Sequence, residues 1–374
     1  MQEPPAYNPA QEEVVELLGA GPEQRPTFDA GLRVELRAML EDELEPVVAD
    51  LDEPLWVAKR DLAGVHGCEV RHLAEGESRF AWSPPLARGA VTHKAIELSV
   101  SWRGERIPGD LVDEAIARLG ASEASLADWL STCDDGDLAE LRSAAVERVT
   151  AFVECFPPLR SRWYPVTEAK LRAELLEGRL VLAGKVDLSL GKADGTTAGK
   201  VLIDLKTGGF APSHLDDLRY YALVETLRLG TPPRKLASYY LDGARAHPED
   251  VTEDLLEAAA RRVVAGATRL VELRRDPSVA RTRPGPACRW CALSATCDDG
   301  RRFLDGDDRL DPPDPDDDPD DDLDDEQDDD LDDERDDLDD EQDDDLDDER
   351  DDLDDGLTAL DDGGGGPDRP GGGR

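Results

Sequence analysis

Two short segments of the 374-residue chain combine acids with a lysine in a way that could do chemistry: Gly184-Lys185-Val186-Asp187 and Ile203-Asp204-Leu205-Lys206-Thr207-Gly208. Both sit in apolar stretches that read as neighbouring β-strands, so the carboxylates of Asp187 and Asp204 can converge. Oxygen ligands of that kind suit a hard divalent cation, Mg²⁺ or Mn²⁺. Side chains alternate along a strand, which puts Asp204 and Lys206 on one face and turns Leu205 into the core. The backbone carbonyl of Leu205 is then available as a further metal ligand. Two acids around a metal with an ammonium beside it fit phosphodiester hydrolysis, in which the ion activates water and offsets the developing charge.

A second set is built from thiols. Cys288-Arg289-Trp290-Cys291 followed by Cys297 places three sulfurs within ten residues, after a Pro- and Gly-rich turn. So tight a group can ligate one metal centre. Cys68 could supply the fourth ligand, or His66 or His72 could replace it in a Cys₃His zinc site, and a four-cysteine set suits zinc as well as iron–sulfur. Cys133 and Cys155 have no metal spacing and read as buried thiols.

The elements that must position these residues follow from periodicity. Thr167, Ala169, Leu171, Ala173 and Leu175 alternate with charged residues, which predicts a half-buried strand. Glu177-Gly178 supplies a turn. Leu180–Ala183, Val186–Leu190 and Lys200–Leu205 continue as strands, with residues 191–199 as a polar loop, so a β-meander is expected. Leu215–Leu229 is helical, Lys235–Leu241 is a strand closed by Asp242-Gly243, and Asp254–Leu273 is a long helix. Helical patches are expected at Gln11–Leu18 and Ala30–Leu44, and a helical stretch from Pro108 to Phe156. The body is therefore α/β with a mixed sheet.

Charge is concentrated at one end. Residues 305–362 hold 37 acidic residues against three Arg, about -34 of the formal -45, which leaves about -11 for the rest. Leu323, Leu338 and Leu353 recur every fifteen residues there, too few apolar groups to offset ordering entropy, so a disordered acidic tail is expected. Its charge does not exclude a nucleic-acid partner, because screening makes the local potential of a folded cleft independent of a distant tail. Arg160, Arg162, Lys170, Arg172, Lys185, Arg219, Arg234 and Lys235 could line a phosphate track. No apolar leader or membrane span is legible, and the cysteines do not form a secreted disulfide pattern, so a soluble cytoplasmic protein is expected. Gly195–Lys200 is one residue short of a phosphate loop, which excludes an ATPase motor. Nucleophile-elbow and triad chemistry have no suitable residues.

At this point the sequence resembles the RecB-like branch of the PD-(D/E)XK nucleases, with Asp187 as the first acid and Asp204-x-Lys206 as the second half-motif. The resemblance covers about residues 60–304. Gly89-x-x-x-His93-x-x-x-Glu97 matches the family's upstream helix, which implies that His93 is another metal ligand. Tyr221 matches the family's Gln-x-x-x-Tyr, which looks toward the DNA and the active site and so implies a catalytic place for Tyr221, although Asp217 stands where the glutamine would be. Glu168 is a further acid near the set. The early Cys68 and late Cys288, Cys291 and Cys297 are similar to the split arrangement of AddB-type and CRISPR-associated adaptation nucleases, which implies a structural [4Fe–4S] cluster.

The expected fold is a restriction-endonuclease-like α/β core with helical insertions: residues 1–55 an N-terminal helical segment, 56–304 the nuclease domain, 305–374 the tail. The implied activity is Mg²⁺- or Mn²⁺-dependent cleavage of DNA, single-stranded or with free ends, in repair, recombination or foreign-DNA processing. A separate helicase is an implied partner. The alternative is a catalytically inactive iron–sulfur scaffold whose tail recruits partners or inhibits the body.

Overall fold

Where the apolar residues lie determines the sheet. Val201–Lys206 is buried along its whole length and forms a central strand, β4, paired antiparallel with β3 (Leu180–Leu190) and parallel with β5 (Lys235–Tyr240). β2 (Val166–Leu175) runs antiparallel along β3, β1 (Leu55–Val57) pairs parallel with its start, and β6 (Arg245–Asp250) closes the far side against β5. The result is a mixed six-stranded sheet in the order β1-β3-β4-β5-β6, with β2 beside β3. These are observations on a computed structural model that describes residues 7–77, 80–122 and 125–306, all within one compact unit. Of the expected acidic tail, residues 305–374, the first two end the helix Asp298–Gly306 and residues 307–374 lie outside the described residues.

Helices cover both faces. α2 (Leu32–Val48), α3 (Lys59–His66), α9 (Ser213–Leu229) and α10 (Glu253–Arg275) enclose one core with Leu171, Leu182 and Leu202. α2 is amphipathic by strict four-residue spacing: Leu32, Leu36, Leu40, Leu44 and Val48 are all buried. Each contributes about 1.5–3 kcal/mol by leaving water. α10 is capped by Thr252, whose hydroxyl accepts from the Leu255 N–H at 3.1 Å, and α9 ends at Gly230 with φ +93°. On the other face, α1 (Pro9–Leu18), α5 (Pro84–Ser101), α6 (Pro108–Gly120), α7 (Ser125–Thr132) and α8 (Asp135–Cys155) pack over Leu188, Ile203, Leu205 and Tyr239. α4 (Glu69–Glu77) and α11 (Asp298–Gly306) flank the cysteine-bearing segments.

The two strands expected at Leu180–Ala183 and Val186–Leu190 are one continuous strand. β1 and β4 share one edge of β3, at Leu180–Leu182 and Leu188–Leu190, because β2 occupies the other. Residues 183–187 are left between them, and β4 leaves the ladder after Ile203. That divergence opens the space described next.

Candidate active site

Asp187 lies where two regularities of the sheet fail together. Thr167 pairs with Leu188 and Ala169 with Val186, but the rung between them, Glu168 opposite Asp187, is missing. Glu168 has φ +53°, a left-handed conformation that costs a residue with a Cβ and recurs at functional sites. The facing of β3 also changes here: Val186 belongs to the α2/α9/α10 core and Leu188 to the opposite one. Strict alternation would place both on one face. The kink brings the Glu168 carboxylate beside Asp187.

α5 adds a third group. Gly89, His93 and Glu97 are four residues apart and so stack on one side of the helix. His93 Nδ1 is 3.5 Å from Asp187 Oδ1, and ligand atoms of His93, Glu168 and Asp187 all lie within 4.8 Å of one another. Glu97 is paired with Lys94 at 2.7 Å. An imidazole and two carboxylates gathered from three elements are a donor set suited to a divalent cation.

Asp204 and Lys206 adjoin this trio through Asp187, whose Oδ2 accepts the Leu205 backbone N–H. That bond satisfies an amide that β4 no longer presents to β3. Asp204 is fully buried, with Lys206 Nζ 3.1 Å from its Oδ2, yet neither carboxylate oxygen accepts a well-formed hydrogen bond among the described residues. A buried carboxylate in that state is costly unless a cation compensates it. Asp204 is not a member of the His93–Glu168–Asp187 trio. Leu205 itself points into the α5/α8 core.

Tyr221 is fully buried on α9, with its ring close against Gly184 of β3. A Cβ on Gly184 would come 2.4 Å from its ring, so only glycine admits this approach. Lys59 Nζ lies 5.4 Å from the centre of the same ring. Asp217, one turn earlier, is buried and borders the cysteine cavity. Sequence reasoning missed Lys59, since a lysine starting a helix has no distinguishing signal. It gave Glu168 only a minor place, because the strand reversal that aims this acid is not encoded in residue type.

The four cysteines come from both ends of the described body. Cys68 sits between α3 and α4, and Cys288, Cys291 and Cys297 lie between α10 and α11. All four line one cavity of about 330 Å³. Backbone N–H groups of Arg283, Gly285 and Gly300 donate to the sulfurs of Cys68, Cys288 and Cys297 at 3.5, 3.4 and 3.3 Å. Burial pushes the Cys291 thiol up, and the nearby sulfurs of Cys288 and Cys68 add to it. Among the described residues no three sulfurs lie within 4.8 Å of one another. His66 Nε2 is 2.9 Å from the Arg262 carbonyl and so carries its proton there, while His72 borders the cavity. Cys133 and Cys155 are half-buried, not buried as expected.

The eight cations considered for a phosphate track separate by location. Arg219 is clamped by Glu249 and Asp216, and Lys235 pairs with Asp250. Arg234 is buried, donates to the Leu18 carbonyl, and is held down at about 10 by that burial. Arg160 stacks near Tyr7 and Trp163, and Arg162 is exposed on the same turn. Lys170, Arg172 and Lys185 lie together on β2 and β3.

The PD-(D/E)XK nuclease superfamily pattern matches residues 60–298. Among solved structures, SSO0001 is similar at 15% identity over 71% of this chain and 97% of its own, with a TM-score of 0.31. A protein described as a candidate exonuclease from Eubacterium rectale is similar at 12% identity over 77% of this chain and 96% of its own, with a TM-score of 0.36. No curated protein matches in sequence. No helix among the described residues is long and apolar enough to cross a membrane.

Proposed function

Because the chain belongs to the PD-(D/E)XK nuclease superfamily, we propose that it is a RecB-like, Mg²⁺- or Mn²⁺-dependent deoxyribonuclease that hydrolyses DNA, single-stranded or bearing free ends. The observation that carries this reading is the convergence of His93, Glu168 and Asp187 at the kink of the sheet, one hydrogen bond away from the Asp204–Lys206 strand end. The donor set fits a hard cation, and the buried, poorly satisfied Asp204 carboxylate has the charge such an ion would neutralise. His93, Asp187, Asp204 and the Leu205 carbonyl would hold the metal, with Glu168 as a further acid.

When bound, the cation supplies Lewis acidity toward the phosphate and lowers the pKa of the attacking water. The chain's own groups do the rest. Lys206 keeps an ammonium next to Asp204, where it can orient water and offset charge growing on the phosphate. Asp187 fixes the strand end through Leu205 N–H, which sets the positions of Asp204 and Lys206 relative to the trio. Tyr221, wedged against Gly184, holds α9 against the strand that carries Asp187.

The cysteine cavity is assigned a [4Fe–4S] cluster held by Cys68, Cys288, Cys291 and Cys297. Four cysteines lining one cavity, three of them accepting backbone N–H···S bonds, support a thiolate-ligated centre, for which zinc is the alternative. The cluster would act as a structural staple. A cytoplasmic role in repair, recombination or foreign-DNA processing, beside a separate helicase, follows from the RecB-like reading.

The test is a cleavage assay on anaerobically purified protein. With Mn²⁺, wild type degrades a DNA substrate and Asp204→Ala is slower by at least about a thousandfold, a loss of about 4 kcal/mol of transition-state stabilisation. Equal, negligible cleavage by both would leave a DNA-binding scaffold as the better description.

A further inference from the structure

Lys170 on β2 and Lys185 on β3 are directly paired in the antiparallel register, and Arg172 is paired with Ala183. Directly opposed residues share a face, with Cβ atoms about 4.5–5.5 Å apart. Leu171, Ala173 and Leu182 belong to the α2/α9/α10 core, so the three cations occupy the other face of the hairpin. Lys170 is exposed and Arg172 and Lys185 are partly so. Like charges placed directly opposite each other weaken a sheet. The fold nevertheless keeps this pair next to Glu168, whose carboxylate takes the Lys185 ammonium at 2.6 Å. Arg172 continues the row, 5.0 Å over the Trp56 ring and paired with Glu174 at 2.8 Å.

We infer that the Lys170–Lys185 pair and Arg172 form the track on which one polynucleotide strand lays its phosphates as it enters the His93–Glu168–Asp187 centre. Strand geometry supports this. Lys170 and Arg172 lie two residues apart in the regular part of β2, an advance of about 6.7 Å, on the order of the separation of successive phosphates. Were Glu168 to take up a cation, its hold on Lys185 would weaken and leave that ammonium for phosphate. The flanking Trp56 offers an aromatic surface of the kind that stacks unpaired bases. The inference rests on the nuclease reading and adds where the substrate runs.

The test uses full-length protein in EDTA, where no cleavage occurs, with a fluorescent single-stranded oligothymidylate titrated at several salt concentrations. Lys170→Gln and Arg172→Gln each weaken binding about three- to fivefold. Each also lowers the slope of log affinity against log salt by about 0.7. The double variant loses both amounts, and Arg172→Lys restores the slope. Thermal stability separates this from a structural role: affinity and salt slope fall in the variants without a proportional fall in Tm. Wild-type affinity and slope in the double variant would overturn the track, as would a Tm that falls in step with affinity. A wild-type chain that cleaves with Mn²⁺ while the double variant binds normally sinks the track alone. A wild-type chain that neither binds nor cleaves sinks the nuclease reading and the track with it.

Discussion

At the scale of single residues, function depends on contacts with little room to move. Tyr221 approaches the backbone at Gly184 so closely that a methyl group cannot be accommodated without displacing the ring or the strand. Gly184→Ala is therefore expected to destabilise the protein by about 1–3 kcal/mol through overpacking. A fall in Tm of roughly 2–4 °C per kcal/mol follows for a body of this size. Asp187 lies three residues further along the same strand, so cleavage should fall by more than the loss of folded protein explains. Thermal melts and cleavage rates measured on one preparation check this, and an unchanged Tm would show that the ring has space to yield. Glu168 illustrates the opposite limit of sequence reading. Its alternation with Ala169 assigns it to a polar face, but only a left-handed backbone turns it toward Asp187.

At the scale of elements, periodicity made most of the architecture legible. The expected helices near residues 11–18, 30–44, 215–229 and 254–273 correspond to α1, α2, α9 and α10, and the strand ending at Asp204-x-Lys206 is β4. The helical stretch from 108 resolves into α6, α7 and α8. β6 was not legible because Arg245-Ala246-His247-Pro248-Glu249-Asp250 is polar and contains proline, which only an edge strand tolerates. β1, of three residues, is too short to show a period. The placement of the acids on neighbouring strands was visible in the sequence, whereas the divergence of β4 from β3 that lodges Asp187 against Leu205 was not. Such splay is a property of pairing, and a single strand carries no record of it.

An ion pair ties two of these elements together. Glu69 of α4 accepts two hydrogen bonds from Arg269 of α10, both at 2.6 Å, and one from the Arg281 backbone at 2.7 Å. The Arg269 guanidinium, foremost, holds the Glu69 carboxyl below its ordinary 4.5. A depressed carboxyl contributes stability above its unfolded pKa and loses it as pH falls through the folded value. Wild-type Tm should therefore drop more steeply below about pH 4.5 than that of Glu69→Gln, while at pH 7 the variant melts lower. Parallel pH profiles for the two proteins would remove this pair from the account.

At the scale of the whole molecule, both centres are assembled from distant parts of the chain. His93, Glu168 and Asp187 come from α5, β2 and β3, and the cysteines join a segment before α4 to one after α10. Neither donor set exists in an unfolded chain, so ligand binding at either is coupled to folding. Lys59 and Asp217 border the cysteine cavity, and Lys59 also lies over Tyr221, which packs against Gly184 of β3, so α3 and α9 connect the cavity to the strand that carries Asp187. The formal charge of -45 obscures this organisation, because most of it is carried by residues 305–362.

Those carboxylates are identical in wild type and in a variant of the site, so comparing the two proteins cancels any Mn²⁺ they bind. Thermal stabilisation by Mn²⁺ is therefore the most direct measurement of the central claim. Wild type at a Mn²⁺ concentration about 100 times its dissociation constant should gain about 2.7 kcal/mol, or roughly 5–10 °C in Tm. Asp187→Asn should gain almost nothing under the same conditions. An equal rise in Tm for both proteins would mean that no metal sits among His93, Glu168 and Asp187, and the proposed mechanism would be wrong.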